Sequence, residues 1–345
     1  MRWSYNRERS RSVAAWLYLV ALLIVAMVVV GGATRLTGSG LSITEWRPIS
    51  GALPPLSAHA WAEEFARYQR IPQFRYVNPT MTLAQFKGIY GWEWTHRLLG
   101  RLVGLIFFLP FAVFLALGRV PRRLVWRCWV LLALGGLQGL VGWWMVASGL
   151  TKRVYVAPER LATHLGLALV LFGFTVWTGW EAWSGRGRPL WGVPPRWRAL
   201  AACLAGLVFV QMLLGALVAG NHAGLVDNDW PLMNGRLFPS DYAHGGLFAT
   251  LLHSQAAVQF NHRLAAYLIF LLSGALALFA ALSRGLPSLL KITVGGVFAV
   301  ICVQVLLGIV TLVAGAPLWL SILHQLWALT TLTAALFLVW KMRRS

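Results

Sequence analysis

Eight long runs of apolar residues divide the chain, at about 13–33, 96–117, 125–147, 161–182, 198–219, 258–282, 290–314 and 320–340. A helix needs roughly 20 such residues to cross a bilayer, and a backbone in lipid must satisfy its own hydrogen bonds, which a helix does. The pattern therefore predicts an all-α membrane protein with eight transmembrane helices. The first run follows Arg2, Arg7, Arg9 and Arg11 in the manner of a secretory leader. It is longer than a leader's apolar core and has an internal counterpart, so it is read as a retained span.

Composition agrees. Of 345 residues, 58% are hydrophobic and 12% charged, against about a quarter charged in soluble domains. The net charge of +20 would point to nucleic acid in a soluble protein, whereas in a membrane protein basic loops set orientation. Eight spans put both termini on one side, with Arg119, Arg122, Arg123, Arg127, Arg186, Arg188, Arg196, Arg198, Arg284, Lys291, Lys341, Arg343 and Arg344 joining the N-terminal arginines there. That side holds 17 of the 30 basic residues, in short segments, and of the acidic residues only Glu8 and Glu181. The positive-inside rule then makes both termini cytoplasmic. The long loops on the other side, about 34–95 and 220–257, are rich in Gly, Pro and Trp and read as ordered caps. Cys128, Cys203 and Cys302 lie in or beside apolar runs without CxxC spacing, so they read as small buried apolar residues and not as disulfide or zinc ligands.

The chain repeats. A shift of 184 residues lays Gly31 on Gly215, Gly40 on Gly224, Leu41 on Leu225, Glu45 on Asp229, Trp46 on Trp230, Gly51 on Gly235 and Pro55 on Pro239. A shift of 166 lays His96 on His262, Arg97 on Arg263, Leu98 on Leu264, Gln138 on Gln304 and Gly142 on Gly308, and a shift of 160 lays His164 on His324. The drop from 184 to 166 makes the first outer loop 18 residues longer than the second. Two halves, 1–190 and 191–345, each with four spans in parallel, predict two pseudo-symmetric four-helix bundles about an axis along the membrane normal.

Four histidines occupy matching places: His96 opens the second span, His164 the fourth, His262 the sixth and His324 the eighth, all near the outer face. Intramembrane ionisable groups are costly and mark function. Two imidazoles per half, without a cysteine, make a poor closed zinc site. Facing across a four-helix bundle they suit a porphyrin, which supplies the other four ligands of its iron. The remaining histidines, His59, His222, His244 and His253, fall in the outer loops and read as loop residues, with His222 able to approach a haem edge.

Arg97 and Arg263 each follow a histidine, and Arg101 lies a turn beyond Arg97. Arginine pairs with carboxylates, so either haem propionates or lipid headgroups suit them. Arg35 aligns with Ala219 and has no basic counterpart. Glu93 stands three residues before His96, and the aligned residue is Gln259. A carboxylate beside a bound substrate can move protons or stabilise positive charge, whereas a neutral amide suits a permanent cofactor. The asymmetry places chemistry in the first half and electron transfer in the second, unless Glu93 only pairs with Arg97 or another cation.

The segments from Gly31 to Ser42, Glu45-Trp46-Arg47-Pro48, Phe86-Lys87-Gly88-Ile89-Tyr90 and Glu93-Trp94-Thr95-His96-Arg97 resemble the haem A synthase family, in its proteobacterial and mitochondrial subgroup, over nearly the whole chain. Some members carry a cysteine pair in the first outer loop; this chain has none there. The resemblance implies an oxidoreductase of the bacterial inner membrane that oxidises the C8 methyl of haem O to a formyl group, giving haem A. It implies that His262 and His324 ligate a resident haem b, that His96 and His164 flank the substrate haem iron, and that Glu93 is the carboxylate near the reacting methyl. The resemblance implies haem O synthase and cytochrome oxidase assembly factors as partners; a homo-oligomer is also compatible with the sequence. A di-haem membrane cytochrome b and a haem transporter or chaperone explain the histidines equally well but leave the Glu93/Gln259 difference without a purpose.

Overall fold

The computed structural model describes residues 9–185, 193–243 and 245–343; Arg2, Arg7, Glu8, Arg186, Arg188, His244 and Arg344, which entered the sequence reading, lie outside them. Among the described residues eight helices are long and apolar enough to cross a membrane. They are α1 (Arg11–Leu36), α2 (Leu83–Ala116), α3 (Arg122–Ala147), α4 (Pro158–Ser184), α5 (Pro195–Gly220), α6 (Gln255–Leu282), α7 (Ser288–Val313) and α8 (Leu318–Met342). The chain is a multi-pass membrane protein, and the described residues contain no β-strand, only one isolated bridge between Met233 and Arg236.

Most helix starts follow from local chemistry. Pro158 and Pro195 sit in the first turns of α4 and α5, and Pro121, Pro287 and Pro317 immediately precede α3, α7 and α8. A proline there lacks only an N–H that the helix leaves unused. The start of α2 differs from the apolar pattern, which begins near 96. A reciprocal capping box between Thr82 and Gln85 starts it at Leu83, satisfying two orphan donors at once. The added turns bury Phe86, Tyr90 and Glu93 along one face. His96 is thus the fourteenth residue of α2, not its opening, whereas His164, His262 and His324 are the seventh, eighth and seventh of their helices.

In the first half α1 and α3 each pack against both α2 and α4; in the second, α5 and α7 each pack against both α6 and α8. The halves meet through α1 and α4 against α5 and α8. Polar contacts cross this seam: Gln325 Nε2 donates to Val28 O at 3.0 Å, where Gly32 leaves room for the amide. One apolar cluster joins Val13 and Leu17 of α1 to Leu338 and Met342 of α8, and includes the same end of every other helix. It fills the end of the molecule that carries the termini. The opposite end carries the four histidines. Cys128 belongs to this core, but Cys203 is exposed on the outside of α5 and Cys302 is half-buried. The reading of all three as buried therefore holds for Cys128 alone, because an apolar helix facing lipid has no need to bury its small residues.

The first outer loop is an ordered cap. Two short helices, Ala58–Tyr68 and Pro72–Tyr76, pack Trp61, Phe65, Tyr68 and Phe74 around Phe86 of α2. Gln73 accepts from Tyr68 Oη at 3.1 Å and donates to Gly38 O at 3.1 Å, tying the cap to the end of α1.

Candidate functional site

Each of the four helix histidines lies against a glycine of a neighbouring helix. A Cβ on Gly31 would come within 3.1 Å of the His96 ring, on Gly142 within 2.9 Å of His164, on Gly215 within 3.3 Å of His262, and on Gly308 within 3.0 Å of His324. Those are distances at which something must move. The glycines are therefore seats for imidazoles, supplied by α1, α3, α5 and α7 to histidines on α2, α4, α6 and α8. The helices bearing each pair stand opposite one another across their bundle, each packed against both of the helices between them.

Three of the four rings also carry an amide partner. Gln138 Nε2 donates to His164 O at 3.0 Å and lies 3.2 Å from its Nδ1. Gln211 does the same to His262, at 2.9 and 3.1 Å. Gln304 does so to His324, at 3.2 Å to both atoms. All three Oε1 atoms are buried without a partner. Each glutamine precedes its seat glycine by four residues. The Gln211-x-x-x-Gly215 copy was overlooked in the sequence, although its spacing matches the other two.

Both arginines are engaged by the outer loops. Arg97 donates to Glu93 at 2.6 Å, to Ile43 O at 2.8 Å and to Glu45 O at 3.0 Å. Arg263 donates to Gln259 Oε1 at 2.9 Å, to Leu232 O at 2.8 Å, to Asp229 O at 3.1 Å and to Asp227 O. Ile43 and Glu45 align with Asp227 and Asp229 at the 184-residue shift. In each half the arginine thus clamps the same stretch of outer loop over the histidine end of the bundle. Arg101 continues the clamp to Arg47 O and Pro48 O, at 2.7 and 2.8 Å.

Glu93 is 3% exposed. Its Oε2 accepts from Ser42 Oγ at 2.7 Å and Ile43 N at 2.9 Å, and its Oε1 accepts from Arg97. Gln259 points its amide the other way, donating to Ala223 O at 2.6 Å and also to Val226 O. The two positions hold equivalent loops by opposite polarity: a carboxylate receives loop donors in one half, an amide serves loop acceptors in the other.

Asp229, the counterpart of Glu45, takes the backbone amides of Gly235 and Asn234 at 2.9 and 2.7 Å. Those two bonds hold its carboxyl below the usual value. Of the loop histidines, His59 is exposed beside Glu63, and His253 lies 3.9 Å from Glu159. His222 sits at the seam between the halves. Its Nε2 is 2.8 Å from Arg35 Nη2, which also donates to Gly220 O at 3.0 Å, and its ring packs on Tyr155 at 4.5 Å. Burial and the Arg35 charge bring its imidazole down to about 4. Arg35, without a basic counterpart in the repeat, is thus a staple that caps the end of α5.

The geometry defines a class: a polytopic helical membrane protein with two diagonal imidazole pairs near one face, seated on glycines and roofed by loops that arginines anchor. Residues 14–336 match the family model of the cytochrome oxidase assembly protein COX15-CtaA, and the chain belongs to that family. It is 58% identical to the "Heme A synthase" of Caulobacter sp. (strain K31), with 98% of each chain covered. It is 57% identical to that of Caulobacter vibrioides, again over 98% of each, and 46% identical to that of Maricaulis maris over 99% of each.

Proposed function

We infer that this chain is the oxidoreductase that its relatives' name describes, converting haem O to haem A within the membrane. The observation that carries the reading is the pair of opposed imidazoles in each half, each with a glycine seat, in a chain of this family. Both halves fit a haem. The imidazoles project from opposite helices of a bundle, the apolar packing is concentrated at the other end, and acceptor atoms are left unpartnered beside three of the rings.

In this reading His262 and His324 hold a resident haem b in the second half, and His96 and His164 flank the iron of the substrate haem O in the first. A bis-histidine haem supplies electron transfer. The protein's own part is positional. The seats fix the imidazoles, and Arg97 and Arg263 hold loops over them that exclude water. Glu93 is the carboxylate beside the substrate half, where a methyl becomes a formyl group and protons must leave. Its buried setting, against a neutral amide at the matching site, supports that role, because fixed charges act strongly where water is excluded. Propionates can find only what the arginines have left, such as the buried, unpartnered Arg263 Nε.

The orientation that fits the charge pattern puts both termini in the cytoplasm and the haem sites toward the outer leaflet of the bacterial inner membrane. Haem O synthase, which makes the substrate, and oxidase assembly factors, which take the product, are the partners this reading implies. The test is expression with a haem O supply, followed by extraction and mass resolution of haem b, haem O and haem A. Haem A formation is expected. Retention of unchanged haems would favour a cytochrome or a carrier.

A further inference from the structure

Among the described residues three of the four helix imidazoles have an amide partner and one does not. Counting back four residues from Gly31, the seat of His96, gives Met27, which aligns with Gln211 at the 184-residue shift. Its methyl lies 3.6 Å from the Cβ position of Gly100, one turn beyond His96. An apolar thioether therefore stands where Gln138, Gln211 and Gln304 stand in the other three copies.

An imidazole bound to metal through one nitrogen keeps a proton on the other and donates it to a neighbouring acceptor, which fixes the ring and strengthens the ligand. A primary amide carries a donor and an acceptor, and a half-turn exchanges them. That half-turn brings the unpartnered Oε1 of each glutamine to the place its Nε2 now holds, 3.1 to 3.2 Å from Nδ1 and 3.3 to 3.4 Å from the other ring nitrogen, in exchange for the bond from Nε2 to the histidine's own carbonyl. Methionine offers only a weak sulfur acceptor.

We propose that Gln138, Gln211 and Gln304 are positioning residues for the axial imidazoles, and that Met27 leaves His96 as the one unsupported ligand, so that the first half releases its haem while the second keeps its own. This rests on the haem-ligand reading above. The second half has two supported imidazoles and suits a resident group. The first has one supported and one held by its glycine seat alone, and suits a substrate that must arrive and depart. The difference is independent of Glu93.

The experiment uses the full-length protein loaded with haem, and follows transfer of each haem, told apart by mass, to excess apomyoglobin. Loss of an outer-shell partner of a metal-bound imidazole costs about 10–100-fold in affinity. Gln211→Met copies the first half's own solution, and is expected to speed loss of haem b about 10-fold or more and to alter its low-spin electron-paramagnetic signature. Gln211→Glu keeps an acceptor beside Nδ1 and is expected to hold haem b as firmly as Gln211 does. Met27→Gln is expected to slow departure of haem O or haem A by a similar factor. Unchanged loss in both Gln211→Met and Met27→Gln, while His262→Ala still abolishes the low-spin signal, overturns the inference and leaves the ligand reading standing. Equal loss from Gln211→Glu and Gln211→Met also overturns it, showing a packing role. A His262→Ala protein with its low-spin signal intact removes the reading on which it rests.

Discussion

Arg97 reaches back one turn of α2 to Glu93 and meets it at 2.6 Å, the carboxylate being 3% exposed. In the second half the same turn joins Arg263 to a neutral Gln259 at 2.9 Å. The clamp on the outer loop thus needs an acceptor at this position, not a charge. Glu93→Gln keeps an acceptor for Arg97, as Gln259 does for Arg263, but turns an amide N–H toward Ile43 N in place of the carboxylate oxygen, a lost hydrogen bond worth about 1–3 kcal/mol. The variant is expected to fold and retain haem, yet to lose about 10²-fold or more of its haem A formation, the scale of general-base help. Extraction and mass analysis check this; near-normal haem A would reduce Glu93 to a loop anchor. Glu93→Ala should instead destabilise the loop, because truncating one partner of a buried pair costs about 3–5 kcal/mol.

The second-half histidines predict a spectrum. Replacing His262 or His324 with Ala is expected to abolish or shift the low-spin signal of the resident haem. Replacing His59, exposed beside Glu63, should leave it. Optical and electron-paramagnetic spectra of the purified proteins decide; a wild-type signal in both ligand variants contradicts the assignment.

His222 predicts a pH dependence. Its imidazole titrates near 4 in the fold against an ordinary 6.5, so the folded protein holds it neutral. The unfolded chain takes up the proton first as pH falls. The stability this neutral ring contributes is therefore complete above about 6.5 and declines between 6.5 and 4. His222→Gln removes that decline, and the difference in thermal midpoint between variant and wild type should narrow as the pH is lowered through this window. A constant difference would show that burial and the Arg35 charge do not hold the ring neutral in the fold.

The eight spans were legible in the apolar runs, because a backbone in lipid has few alternatives to a helix. The register of the repeat, read from Gly31/Gly215 and Gly142/Gly308, has its physical reason in imidazoles that pack where a Cβ would collide. What was not legible depended on partners distant in sequence. The early start of α2 is set by Thr82 and Gln85 within a polar stretch that hydropathy passes over. Nothing in the spacing of Arg97 and Arg263 shows that carbonyls of Ile43 and Asp227 turn toward them. Cys203 looked buried because composition does not tell a lipid-facing side from an inward one.

Topology has a direct check. Two cysteine variants probe opposite faces: Ser57→Cys lies at the start of a loop helix in the first outer cap, and Ser184→Cys at the end of α4 near the termini. With cytoplasmic termini, an impermeant maleimide added to intact cells should label the first and not the second. Reversed labelling would move the histidine sites to the cytoplasmic leaflet.

The glycine seats offer a test that touches neither histidine nor iron. An added Cβ on Gly308 stands 3.0 Å from Cε1 of His324, and a valine adds two further methyls in the same direction. The imidazole must give by a few tenths of an ångström or more, and overpacking of this kind typically costs about 1–3 kcal/mol. Gly296, a few turns away on α7, has nothing within 4 Å of its Cβ position. Gly308→Val is therefore expected to lower haem b occupancy or shift its low-spin signal, while Gly296→Val leaves both unchanged and controls for the helix surface. Gly142→Val, with its Cβ 2.9 Å from His164, should leave haem b in place and depress haem A formation instead. If Gly142→Val and Gly308→Val lost the same haem, the two imidazole pairs would not serve separate haems. If neither disturbed any haem, the seats would be packing features without a bearing on ligation.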